Sequence, residues 1–156
     1  MQLEKNVESY YKFVLLRSKY LNQLEYISLC KVVIKICHKY NSLILLNQMP
    51  ETVIELGADG IHLSAKDMFL YNTRALPDNL LVGASCHSQA EISQAEKISA
   101  DFSVLSPIQS STKGGHREVM GWKGLSEHCS KTKIPIYALG GVSCDCLLYT
   151  SDAADE

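Results

Sequence analysis

The 156-residue chain has no apolar run approaching the ~18 residues that a membrane-spanning helix requires, so a membrane role is not expected. Its N-terminus, MQLEKNVESYYKF, carries Glu4, Lys5 and Glu8 and lacks an apolar stretch behind a basic flank. It is not a secretory signal, and a cytoplasmic protein is expected. A strong basic excess is missing too. The formal net charge of −2 argues against a dedicated nucleic-acid binder, which presents a basic face. The six cysteines (30, 37, 86, 129, 144 and 146) follow neither a disulfide framework nor zinc-ligand spacing, and are read as reduced thiols. No GxGxxG follows the first strand-like segment, which weakens a dinucleotide-binding reading.

What is present is alternation. Six short, nearly continuous apolar runs recur: FVLLRS from Phe13, LILLNQ from Leu43, GIHLS from Gly60, LLVGASC from Leu80, FSVLSP from Phe102 and IPIYALGG from Ile134. Strands buried on both faces must look like this. Helix signals separate them. Asn22 and Glu25 form a capping pair ahead of an apolar stripe of Leu24, Ile27, Cys30, Ile34 and Cys37. Ser88 and Glu91 read as a second capping box before Ile92, Ala95 and Ile98. Pro50 suits a first helical turn, Gly57 a helix end, and Trp122, Leu125 and Cys129 mark a last helix. Repeated βα units form either an open doubly wound sheet or a (β/α)8 barrel. Arg17, Asn47, Ser64, Ser85, Ser106 and the Gly140/Gly141 pair all fall at the C-terminal ends of the runs, where barrel enzymes gather their chemistry. The expected fold is therefore an α/β, (β/α)8 TIM-type barrel of which about six units are present.

Several of these positions suit an anionic ligand. Arg17 and Lys19 lie two residues apart on an extended chain, so both can address one anion, the first as a fork and the second as a point charge. Asp67 follows a buried strand and suits either a helix cap or a carboxylate on Mg2+ bridged to phosphate oxygens. His62, inside an apolar run, reads as a satisfied core histidine. Ser85 suits a ligand-facing hydroxyl, whereas Cys86 and His87, adjacent on a strand, point to opposite faces and do not form a nucleophile pair. Ser110, Ser111, Thr112 and Lys113 with Gly114 and Gly115 could wrap a phosphate, and Gly140/Gly141 permit close approach of an anion.

In order along the chain, LLRSK, LLNQ, GADGIHLSAKD, GASCHSQAE and IPIYALGGV resemble the motifs of the thiamine phosphate synthase/TenI family, over about Phe13 to Val142. The resemblance implies a Mg2+-dependent transfer of a hydroxymethylpyrimidine from its pyrophosphate to the nitrogen of a thiazole phosphate. It implies that Arg17, Lys19 and Asn47 hold the pyrimidine pyrophosphate, Asp67 the metal and Ser85 the substrate. Lys113 would stabilise the leaving pyrophosphate, while Ser111, Thr112, Gly140 and Gly141 would meet the thiazole phosphate. The sequence departs from the family at Leu15, at Ser64/Ala65 and at Gln48, which stands where a first Mg2+ carboxylate is expected. An amide is the weaker ligand for a hard cation. Two other readings follow from the resemblance: a TenI-like thiazole tautomerase, and a non-catalytic phosphate-ligand domain. DFSVLSPIQ, Gly121/Trp122 and ALGG look like the TenI-type domain that follows a MutT-like Nudix hydrolase, which would place such a domain upstream. Residues 1–145 are assigned to the barrel. Residues 146–156, CLLYTSDAADE, back-translate into a sequence like a transposase adapter used in library preparation, and are expected to be a non-native tail.

Overall fold

The computed structural model describes residues 5–6, 12–18, 20–110 and 118–143. Six strands form one parallel sheet whose spatial order follows the chain: β1 (Phe13–Leu16), β2 (Leu43–Leu46), β3 (Gly60–Leu63), β4 (Leu81–Cys86), β5 (Phe102–Leu105) and β6 (Ile136–Ala138). Every run read from the sequence became a strand. The crossovers are α1 (Gln23–Lys39), α2 (Pro50–Leu56), α3 (Ala65–Met68), α4 (Gln89–Lys97) and α5 (Gly121–Cys129). Among the described residues β1 and β6 are the outer strands of a curled, open sheet, a half-barrel rather than the closed ring of eight.

Register sorts the side chains. Leu15 pairs with Leu45, Leu45 with Gly60, His62 with Gly83, Ser85 with Val104 and Val104 with Tyr137. These residues share the concave face, and their neighbours along each strand turn outward to the helices. On the four inner strands the outward residues Ile44, Leu46, Ile61, Val82, Ala84 and Leu105 are wholly buried with Cys30, Val53, Met68, Ile92 and Ile98 from the helices and their ends, while Val14 and Leu16 on β1 and Ile136 and Ala138 on β6 are half-buried. Each large aliphatic so buried contributes roughly 1.5–3 kcal/mol. The concave face is less covered: Phe13, Leu15 and Leu43 are each 43% exposed and Tyr137 61%. Its curl brings the Phe13 and Phe102 rings edge to face at 5.5 Å, with Tyr137 against Phe102 at the same spacing. Gly83 is what lets Phe102 lie there, because a β-carbon would sit 2.4 Å from the ring.

The helix ends follow their local chemistry. Asn22 caps α1 through Glu25 N–H, and the Glu25 carboxylate accepts from Asn22 N–H, completing the box. The stripe behind it is shifted from the expected one. Tyr26, Cys30, Val33, Ile34 and Cys37 are buried, while Leu24 is 79% exposed, because two residues before Tyr26, at ~100° per residue, it lies on the far side of the helix from that stripe. The second box is half-formed: Ser88 accepts from Glu91 N–H, but the Glu91 carboxylate accepts from His87 N–H, one residue before the cap. Pro50 opens α2, and Gly57, left-handed at φ 69°, ends it.

At the opposite rim two Ala-Asp steps repeat one device. Asp59 and Asp101 each precede a strand and accept from the N–H of the second residue of the strand before, Ile44 at 2.8 Å and Val82 at 2.7 Å. Each carboxylate also meets a side chain from a preceding segment, His38 at 3.0 Å and Arg74 at 2.8 Å. These contacts staple the N-terminal ends of the strands, where a barrel places stability rather than chemistry.

Candidate active site

At the C-terminal rim the chain leaves each strand with a polar side chain carried over from the concave face. Arg17, Asn47, Ser64 and Ser85 converge there with His62, Leu15, Val104 and Leu139 around a cavity of about 120 Å³. Below it, a larger apolar cavity of about 490 Å³ is lined by Phe13, Leu15, His62, Phe102, Val104, Tyr137 and Leu139. A third, of about 220 Å³, lies beside the first between β2 and α3 and joins Asn47, Gln48 and Asp67 with Leu70 and Tyr71. Asn47 is common to the two rim cavities.

Asn47 and Ser64 are held by hydrogen bonds, and the strand end beside Arg17 is clamped. Asn47 spends one amide hydrogen on the His62 carbonyl at 2.9 Å, which fixes its amide plane. Tyr26, buried on α1, donates its hydroxyl to the Leu16 carbonyl at 2.7 Å, clamping the end of β1 next to Arg17. Burial, and the nearby Cys30, push the Tyr26 phenol far above its ordinary range, so it stays a donor. The sequence reading missed this residue, whose sign was its place four before Cys30 on the buried stripe. Ser64 caps α3 by accepting from Asp67 N–H at 3.1 Å, while its hydroxyl donates to the Asp67 carboxylate at 2.6 Å. Asp67 is thus the third residue of the helix rather than its cap. The pair orients one carboxylate oxygen and keeps Asp67 in the cavity it shares with Gln48.

His62 differs from its expectation. It is 5% exposed, but it belongs to the concave face rather than to the helix-side core, and its Nε2 has no hydrogen-bond partner. Burial, then the Arg17 charge, lower its pKa to about 4, so the imidazole is neutral at physiological pH.

Gly140 and Gly141, at φ 91° and 69°, pack on the loop after β5: Gln109 N–H donates to the Gly140 carbonyl at 2.8 Å, and a β-carbon on Gly141 would lie 2.5 Å from the Gln109 and Ser110 carbonyl oxygens. They stand at the rim beyond β6, next to Leu139 of the cavity wall. Lys19, Ser111, Thr112 and Lys113 lie outside the described residues.

For Mg2+, the described residues hold no group of three or more His, Cys, Asp or Glu side chains that could cage a metal. The donor set suits a Mg2+ ion that arrives largely coordinated by substrate oxygens and water, because Asp67 offers one carboxylate and Mg2+ commonly takes only one or two from protein. Gln48 adds an amide oxygen that already accepts from Gln23 at 3.3 Å.

The family model described as "Thiamine monophosphate synthase" matches residues 1–148. A protein of Aquifex aeolicus named "Putative thiamine-phosphate synthase 2" is 36% identical over 141 residues, covering 90% of this chain and 76% of that one. The "Thiamine-phosphate synthase" of Synechococcus is 27% identical over 123 residues, 78% of this chain but 35% of that longer protein. Among solved structures, "Thiamine phosphate pyrophosphorylase from Pyrococcus furiosus" superposes with a TM-score of 0.72 at 23% identity, covering 92% of this chain and 69% of that one. The citrate synthase SbnG superposes at 0.64 with 13% identity. At these identities the superpositions establish the barrel-type fold and leave the chemistry to the site. With the polar rim in place on that fold and the match extending over nearly the whole sequence, the chain belongs to the thiamine monophosphate synthase family.

Proposed function

We propose that this chain acts as a thiamine-phosphate synthase-type transferase, joining a hydroxymethylpyrimidine, delivered as its pyrophosphate, to a thiazole phosphate. The observation that carries the reading is the convergence of Arg17, Asn47, Ser64 and Ser85 on one cavity above an apolar chamber. Such a site can take a flat ring with a charged tail. In the reaction the bond between the pyrimidine methylene carbon and the pyrophosphate oxygen breaks, the thiazole nitrogen supplies the electron pair for the new C–N bond, and pyrophosphate departs. Negative charge grows on the leaving oxygen, so fixed cations and donors accelerate the step more than any proton transfer would.

In this reading Arg17 presents its fork to the pyrophosphate, and Lys19 adds a second cation. Asn47 offers its remaining amide hydrogen, and Ser85 directs a hydroxyl toward the substrate from β4. Asp67, braced by Ser64, and Gln48 hold Mg2+, which when bound neutralises pyrophosphate charge. Lys113 meets the departing group, and Ser111 and Thr112 with Gly140 and Gly141 hold the thiazole phosphate. The apolar walls exclude water that would otherwise trap the electron-poor methylene. A closed eight-unit barrel, a cytoplasmic setting and an upstream Nudix-type hydrolase domain complete the proposal.

Incubation with both phosphorylated precursors and Mg2+ is expected to yield thiamine phosphate and pyrophosphate. Absence of product above background overturns the reading. Gln48 favours one rival, a phosphate-ligand-binding domain without efficient turnover, since it leaves a single carboxylate in the metal cavity. Metal-independent binding of the same ligands without turnover would establish that rival.

A further inference from the structure

Tyr26 ties together the two strand ends that carry Arg17 and Asn47. Its ring is buried in the stripe of α1, 3% exposed, while its hydroxyl reaches out of the core and donates to the Leu16 carbonyl at 2.7 Å. The same carbonyl accepts from Asn47 N–H at 3.3 Å, the last rung between β1 and β2. That rung is long. At the other end of the ladder, Leu43 N–H meets the Lys12 carbonyl at 2.9 Å. Asn47 N–H also points at the Tyr26 oxygen, and the Cys30 thiol lies against it. One hydroxyl thus closes a rung that the backbone by itself leaves loose. The support matters most for β1, an outer strand that among the described residues pairs with β2 alone.

Peptide geometry carries this tie into the site. The Leu16 carbonyl and the Arg17 nitrogen belong to one planar unit, so fixing the first fixes where the Arg17 side chain begins. Asn47 is fixed twice, through its main-chain N–H at the junction and through its side-chain amide on the His62 carbonyl at 2.9 Å. Arg17 and Asn47 both line the rim cavity, whereas Tyr26 stands behind them and is not part of its wall.

We propose that Tyr26 is a positioning residue for the pyrophosphate grip, whose hydroxyl sets the spacing of Arg17 and Asn47 across the mouth of the cavity without touching the ligand. The inference rests on the synthase reading and adds to it what holds the grip ready before substrate arrives. Fixed donors stabilise a growing anion best when they need no rearrangement to meet it. The end of an outer strand without the tie would have to be ordered by the ligand, at a cost in affinity. Phenylalanine in this place fills the same slot and loses only the tie.

The test measures binding of inorganic pyrophosphate with Mg2+, and of the thiazole phosphate, to the whole chain by titration calorimetry. Tyr26→Phe is expected to weaken pyrophosphate roughly threefold to tenfold, the range of one hydrogen bond set out of line. Affinity for the thiazole phosphate, whose proposed contacts lie beyond β5 and β6, is expected to stay unchanged. A purely structural role would lower both. In an Arg17→Ala background the same substitution is expected to lose most of its effect, because the two residues act through one contact. Circular dichroism monitors folding. Should Tyr26→Phe fail to fold, solvent exchange of the wild-type Tyr26 hydroxyl hydrogen, followed by NMR at the ring carbon that bears it, decides alone. Linkage is reciprocal, so that exchange is expected to slow on adding pyrophosphate and to hold its rate with the thiazole phosphate. Unchanged pyrophosphate affinity in Tyr26→Phe, an equal loss for both ligands, the same loss with and without Arg17, or a hydroxyl that exchanges at one rate throughout overturns the proposal while leaving the synthase reading intact. Coupling between Tyr26 and Arg17 without any thiamine phosphate formed overturns the synthase reading alone. A wild type that binds neither ligand and forms no product overturns both.

Discussion

Two glycines with the same backbone angle offer a controlled perturbation of the rim. Gly57 and Gly141 both sit at φ 69°, but a β-carbon on Gly57 meets nothing within 4 Å, whereas on Gly141 it falls 2.5 Å from two carbonyl oxygens of the Gln109–Ser110 loop. Gly57→Ala therefore isolates the left-handed strain. That strain is roughly 1–2 kcal/mol, offset by about 0.4–1 kcal/mol from a stiffer unfolded chain, for a net loss near 1 kcal/mol. Gly141→Ala adds a steric conflict. Ordinary contact begins at 3.4 Å, so the loop must withdraw by ~1 Å, and such overpacking costs roughly 1–3 kcal/mol. The totals are then about 1 and about 2–4 kcal/mol. At ~2–4 °C per kcal/mol for a chain of this size, Tm is expected to fall by roughly 2–4 °C for Gly57→Ala and 4–16 °C for Gly141→Ala. Function should separate them further. The displaced loop leads directly to residues 111–113, and a misplacement of ~1 Å can cost on the order of 100-fold in rate. Thermal unfolding and thiamine phosphate formation on both variants check the argument. Equal Tm and equal turnover in the two would refute it, since the loop contact would then carry no weight.

At the opposite rim, Arg74→Ala removes donors to the Asp101 carboxylate and to the Leu80 and Ser99 carbonyls and is expected to cost about 2–3 kcal/mol, held down by the partial exposure of Asp101. A double-mutant cycle with Asp101→Asn should show coupling, and strict additivity would sink the staple. Stability should fall in mild acid. His62 has a folded pKa of about 4 against an ordinary 6.5, so the unfolded chain takes up its proton first. The contribution is intact above pH 6.5 and is lost as pH drops toward 4, by about 2 kcal/mol at pH 5. Urea unfolding at pH 7.5 and pH 5 should show this in the wild type and a flatter response in His62→Gln; identical slopes would contradict it. Burial pushes the Cys86 thiol up to about 12 and raises Cys30 and Cys37 as well, while Cys129 is exposed. Peptide mapping after alkylation at pH 8 is expected to find Cys129 modified and those three untouched until the chain unfolds. Arg17→Ala should raise the KM for the pyrimidine pyrophosphate by roughly 10- to 100-fold, the worth of a hydrogen bond to a charged group, and an unchanged KM would remove Arg17 from the grip.

The strands were legible because a parallel strand with helices on one face and the barrel interior on the other is apolar nearly throughout, and none of the described helices has such runs. The rim was legible for a related reason: Arg17, Asn47, Ser64 and Ser85 each interrupt the apolar pattern where a strand ends. Side-chain identity on the helices was less so. Leu24 was read into the stripe of α1, but the stripe that packs on the sheet runs through Tyr26, Cys30, Val33 and Cys37, and two residues before Tyr26 Leu24 faces away from it. The Glu91 carboxylate likewise found His87 N–H instead of the cap N–H, a choice between two neighbouring donors that spacing alone does not resolve.

The sequence alone determined the six strands and the five described crossover helices, their order, the helix-end roles of Asn22, Pro50 and Gly57, and the polar residues at the ends of β1 to β5, because these depend on local periodicity and on the chemistry of single turns. Tertiary structure decided which face each strand residue takes and what it meets there. His62 is the clearest case. Its position in an apolar run predicted burial, and burial it has, but only the curl of the sheet and the void left by Gly83 place it beneath Arg17 with an Nε2 that has no hydrogen-bond partner. That outcome requires strands as far apart in the chain as β1 and β6 to close on one cavity, an arrangement fixed by the summed twist and register of the sheet rather than by any local stretch of chain.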